Sequence, residues 1–135
     1  METTIEQTLQ MGVTAHREGK LQHAEEFYRA ILKFQPTHPQ ANHNLGLLAV
    51  SANQADAALP FLKRAIVADP KIEHFWISYV DALVKSDKFT DAKKIIKKAK
   101  KRGFNAETLE RLLSKSQSKG NVEGPSQVQV NTLIE

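Results

Sequence analysis

Five histidines, His16, His23, His38, His43 and His74, are the side chains here best suited to bind a metal or move a proton near neutral pH. Their spacing argues against both uses. A zinc site on one helix needs histidines four residues apart, and neither an HExxH pattern nor any such pair occurs. Cysteine is absent, which removes thiolate ligands, disulfides and cysteine nucleophiles together. The six glycines form neither GxGxxG nor GxxxxGK[ST], so no phosphate-binding loop is written. No nucleophile beside a base and no carboxylate pair set out for acid–base work is recognisable. The chain therefore reads as non-catalytic, with no cofactor and no metal.

The densest charge lies in Lys93, Lys94, Lys97, Lys98, Lys100, Lys101 and Arg102. Such a run can meet nucleic acid or another anionic surface. It alternates with Ile95, Ile96 and Ala99 at helical spacing, which makes it the solvated face of an amphipathic helix. Cations near a helix C-terminus also interact favourably with the dipole. Without interleaved aromatic residues for base stacking, nucleic acid is the weaker reading. The net charge of +4 comes largely from this run, while 41% hydrophobic and 25% charged residues describe an ordinary globular domain. Met1 to Gln10 lacks a leader pattern and no stretch approaches about 20 apolar residues, so no membrane insertion is expected.

The elements that must position these side chains repeat. Ala24, Ala58 and Ala92 stand 34 residues apart, and the same shift relates Gly12 to Gly46, Pro36 to Pro70, Tyr28 to Leu62 to Ile96, and Leu21 to Ala55 to Phe89. Each period reads as two amphipathic helices. The first helices cover Thr3 to Glu18, Pro39 to Ala52 and Glu73 to Ser86; the second cover Leu21 to Phe34, Asp56 to Ala68 and Phe89 to Arg102. Small residues at Gly12, Gly46, Ala24, Ala58 and Ala92 let paired helices approach closely. Leu45, Leu48, Tyr28, Leu62, Leu83 and Ile96 fill the layers between them. Gly19, Asn53 and Asp87 fall where each first helix turns back and a positive backbone dihedral is required. Pro36 and Pro70 close second helices. Phe104 and Val80 replace the proline and the glycine in the third period, which predicts looser packing there. Pro60, about one turn inside its helix, predicts a late start or mild bend rather than a break.

This period, with a small residue in the first helix and alanine early in the second, resembles the tetratricopeptide-repeat (TPR) family over about Ile5 to Ala106. The resemblance implies an all-α, right-handed α–α superhelix of three repeats at about 5–38, 39–72 and 73–106. A capping helix follows at about 105–117, with Asn105 as its cap and Leu109, Leu112 and Leu113 on one face. The domain is expected to span 1–118. The segment 119–135 is expected to be a flexible linker, its Ser, Lys, Gly and Pro giving way to Val128, Val130, Leu133 and Ile134 as if a further helix began and a longer protein followed.

Family geometry implies a concave groove lined by the first helices. It places Leu9, Val13, His16 and Arg17 there from the first repeat, Gln40, His43, Asn44, Leu47 and Ser51 from the second, and His74, Ile77, Asp81 and Lys85 from the third. Gln10, Asn44 and Ser78 form a further column, which either holds a peptide backbone or bonds neighbouring helices. Asn44 resembles the groove asparagines of bacterial TPR arms attached to sugar transferases, although Gln10 and Ser78 break that pattern. The lysine, asparagine and arginine clamp with which some TPR domains grip acidic chaperone tails is missing, because Leu9, Val13 and Ser78 occupy its positions. The resemblance thus implies a cytoplasmic scaffold for a protein or peptide. Self-association through an uncovered repeat edge and anionic contact through Lys93 to Arg102 are the alternatives.

Overall fold

The computed structural model describes residues 3–122, and among them the only regular elements are helices. They run α1 (Ile5–Arg17), α2 (Leu21–Phe34), α3 (Pro39–Ser51), α4 (Ala55–Ala68), α5 (Glu73–Lys85), α6 (Phe89–Lys101) and α7 (Glu107–Val122). Local chemistry sets their starts. Thr4 opens α1 with a reciprocal capping box, its hydroxyl accepting from the Gln7 amide while Gln7 Oε1 accepts from the Thr4 amide. His38 Nδ1 caps α3 by accepting from the Ala41 amide at 3.1 Å, with Pro39 at the first helical position where its missing N–H costs least. Asn105 Oδ1 accepts from the Glu107 amide at 2.9 Å as α7 begins. Helix α4 continues through Pro60 without a break.

The turn within each hairpin is built alike. Gly19, Asn53 and Asp87 take positive φ of 80°, 65° and 60°, the conformation anticipated for them. At each, the following amide reaches back to a carbonyl in the last turn of the helix: Lys20 to Ala15, Gln54 to Ala49 and Lys88 to Leu83, all at 2.8 Å. Gly103, with φ of 94°, ends α6 the same way, with the Phe104 amide on the Ala99 carbonyl. Orphan carbonyls at these helix ends are thereby satisfied before any neighbouring repeat is involved.

Helices pair within each hairpin and stack on the next. A Cβ on Gly12 would fall 2.5 Å from Tyr28 Cε1, and one on Gly46 would collide with Leu62, so both glycines are required by the close approach of α1 to α2 and α3 to α4. Ala24, Ala58 and Ala92 are fully buried on the opposing helices. In the third repeat Val80 and Ile96 fill the equivalent space, and the α5 and α6 backbones lie close along less of their length; both side chains are buried, so the wider spacing is filled and not loose as the sequence suggested. Helix α7 closes that end of the stack, laying Leu109, Leu112 and Leu113 against the cluster around Trp76, Val80 and Ile96. It extends to Val122, so residues expected to begin a linker are helical. A helix already nucleated by the burial of Leu109 propagates readily through Ser, Gln and Lys. The rest of the expected linker and the apolar run from Val128 to Ile134 lie outside the described residues.

Candidate interaction groove

The thirteen groove residues implied by the repeat all fall on α1, α3 and α5, the first helix of each hairpin. Leu9, Val13, Leu47 and Ile77 are half-buried, each leaving part of an apolar side chain in solvent. Around them Arg17, Gln40, Ser51, His74 and Lys85 are exposed, and His16 and Asp81 are half-buried. Lys85 Nζ lies 3.0 Å from Asp81 Oδ2, one turn away on α5. His16 Nδ1 stands 3.3 Å from the Tyr28 hydroxyl, and its partial burial lowers its pKa.

Two of the thirteen are not surface residues, which corrects the assignment. His43 is 1% exposed; its ring packs 4.8 Å from Phe75 and 5.1 Å from His74, centroid to centroid. Its Nε2 shares a 2.7 Å hydrogen bond with Ser78 Oγ on α5. Burial, helped by the proximity of His74, pushes the His43 pKa down to about 4, so the ring is neutral near neutral pH. His43 is therefore a tie between the second and third repeats. Asn44, 6% exposed, accepts from Gln40 Nε2 at 3.3 Å. In the Gln10, Asn44 and Ser78 column only Gln10 is exposed, and Ser78 is committed to His43. At Ser78 the column bonds neighbouring helices.

A second pair of ties was missed. Asn42 Nδ2 donates to the Pro36 carbonyl at 3.0 Å and to the His38 carbonyl at 2.9 Å, while Trp76 Nε1 donates to the Pro70 carbonyl at 2.9 Å. Asn42 and Trp76 are one period apart, as are Pro36 and Pro70, so α3 and α5 each peg the proline turn that precedes them. The signal was present as a shared six-residue spacing from each proline, masked because an amide and an indole do not look equivalent. Trp76 is 4% exposed and belongs to the core.

The basic run lies on α6 with its lysines exposed, while Ala92, Ile96 and Ala99 are buried on the opposite side. Lys100 pairs with Glu110 of α7 at 2.5 Å, and the Arg102 guanidinium sits 5.9 Å from the Trp76 ring centroid. Among the described residues no group of three or more histidine or carboxylate side chains is arranged to hold a metal, and no helix is long and apolar enough to cross a membrane.

Paired helices stacked in register, with partly exposed apolar residues on the first helix of each pair, define a helical-repeat solenoid. Two family models, each described as tetratricopeptide repeat, match residues 9–38 and 49–115 and together cover well over half of the chain. The chain belongs to the tetratricopeptide-repeat family. In fold it is similar to the Sgt2 TPR domain from Aspergillus fumigatus, with a TM-score of 0.72 and 20% sequence identity over 90% of this chain and 85% of that one. No curated protein matches it significantly.

Proposed function

We propose that this chain is a non-catalytic scaffold that holds a peptide or a segment of a partner protein against α1, α3 and α5. The observation that carries this reading is the half-burial of Leu9, Val13, Leu47 and Ile77 on equivalent helices, with Arg17, Gln40, His74 and Lys85 exposed around them. An apolar floor supplies affinity through burial, and a polar rim fixes orientation. With His43 and Asn44 withdrawn into the fold, Leu47, Gln40 and Ser51 are what the second repeat offers. Service as the binding arm of a larger transferase is a narrower version of the proposal. It rests on Asn44, whose amide is already engaged by Gln40, so the general scaffold is the better supported form.

The test is a set of groove substitutions that spare the core. Leu9→Ser, Leu47→Ser and Ile77→Ser combined should weaken capture of the partner, recovered by affinity purification on the unaltered chain, by at least tenfold, which requires a combined loss of only about 1.4 kcal/mol from the three sites. Retention of the helical circular-dichroism signal would show that the fold survives. Undiminished capture by the folded triple variant would refute the groove.

A further inference from the structure

On the side of the solenoid formed by the second helices, the 34-residue relation places unlike residues at equivalent outward positions. Lys101 ends α6 and Arg102 caps it; their equivalents are Val67 and Ala68 on α4, and Lys33 and Phe34 on α2. Phe34 is 80% exposed and Val67 72%, the two most exposed large apolar side chains among the described residues. Val67 borders a shallow depression of about 360 Å³ lined also by Pro60, Lys63 and Arg64. Next in the stack, α6 turns Lys93, Lys94, Lys97, Lys98 and Lys101 to solvent. At 100° per residue they span an arc of about 140° of the helix circumference. Among the described residues, none of these five is paired with a carboxylate, whereas Lys100 is held by Glu110.

We infer that this face seats the protein peripherally on an anionic lipid bilayer, with the α6 lysines over the headgroups and Phe34 and Val67 entering the interfacial layer. Three physical points select this occupant. A cluster of four to eight cations on an amphipathic helix is drawn to an anionic leaflet, and the attraction is confined to groups within about 8 Å of it at physiological salt. Exposed apolar side chains at the C-terminal ends of α2 and α4, the second helices stacked before α6, gain from an interface that is wet on one side and oily on the other. A nucleic-acid duplex would use the lysines but leave Phe34 and Val67 idle, and a short acidic peptide would span only part of so broad a charged face. The face uses none of the groove residues, so it is separable from the proposed peptide site.

The experiment is co-sedimentation of the full chain with vesicles of phosphatidylcholine alone and of phosphatidylcholine with about 30 mol% phosphatidylserine, at about 0.15 M salt. Binding is expected only to the anionic vesicles and should fall as salt rises. Lys94→Gln, Lys97→Gln, Lys98→Gln and Lys101→Gln together should weaken it at least a hundredfold, at about fivefold per lysine. Phe34→Ser with Val67→Ser, which leaves the charge unchanged, should weaken it about tenfold or more. All six positions are exposed, and circular dichroism checks that each variant stays folded. The inference is overturned if the anionic vesicles fail to retain the chain, if either folded variant binds undiminished, or if a DNA duplex at the same salt binds the chain while vesicles do not.

Discussion

In the second repeat α3 lies against α4 across Gly46, whose missing side chain makes room for Leu62; in the third, Val80 stands at the same place and faces Ile96. Leu62 and Val80 are fully buried, and Ile96 nearly so. Filling the contact with Val80 keeps the α5 and α6 backbones apart over part of their length, and α7 lies against the same cluster. Close packing can therefore be reached by bringing two backbones together over glycine or by holding them apart and adding a third helix. Only the first route makes glycine necessary while its partner stays as it is, because a Cβ on Gly46 would itself collide with the Leu62 side chain whatever rotamer the larger residue took.

Making the second repeat resemble the third tests that claim most severely. Gly46→Val should cost about 4 kcal/mol of unfolding free energy in urea melts, the size that marks a core collision. Gly46→Val with Leu62→Ile should recover at least half of the loss. If the single variant costs less than about 1 kcal/mol, the two repeats are not packed differently after all.

The tie between these repeats should show itself in acid. His43 has a folded-state pKa near 4, below the ordinary value of 6.5. Between those values the unfolded chain binds a proton that the folded chain does not, so stability is full above about pH 6.5 and falls as the pH drops toward 4. The loss attributable to His43 is about 3 kcal/mol over that window. His16 and His38, also lowered by burial, act in the same direction. Denaturant melts of His43→Gln across this range should show most of the slope removed, and an unchanged slope would detach the effect from His43.

The pegs separate the repeats more finely. Trp76→Phe keeps the ring but removes the donor to the Pro70 carbonyl, and should cost about 1.5 kcal/mol. Asn42→Ala removes a side chain that serves two carbonyls and leaves a smaller void, so its cost should be similar, about 1–2 kcal/mol. Thermal melts in which Trp76→Phe is silent would mean that solvent already serves the Pro70 carbonyl.

Much of this fold could be read from the chain because its determinants are local or periodic. The left-handed turns at Gly19, Asn53 and Asp87 need only the residue type that tolerates them, and the spacing of Ala24, Ala58 and Ala92 marks the close contacts directly. The candidate groove was less legible. Position 43 is equivalent to Leu9 and Ile77, both half-buried, but its own burial depends on Phe75 and Ser78, which arrive from the following repeat. A shift of 34 residues predicts backbone placement and says nothing about what a neighbour will lay over a given side chain. The ties that Asn42 and Trp76 make to the proline turns were overlooked for the complementary reason: the two residues share a role without sharing a chemical type.

The hairpin turns carry one more implication. Because each backward hydrogen bond, as from Lys20 to Ala15 or from Lys88 to Leu83, is completed by residues of its own hairpin, an extra cassette leaves the turn inside every existing hairpin as it was, and only the proline corner and the contacts between the two repeats it parts must be made anew. The molecule is divisible by design of its bends, and lengthening it is a matter of adding units, each arriving with its own fastening.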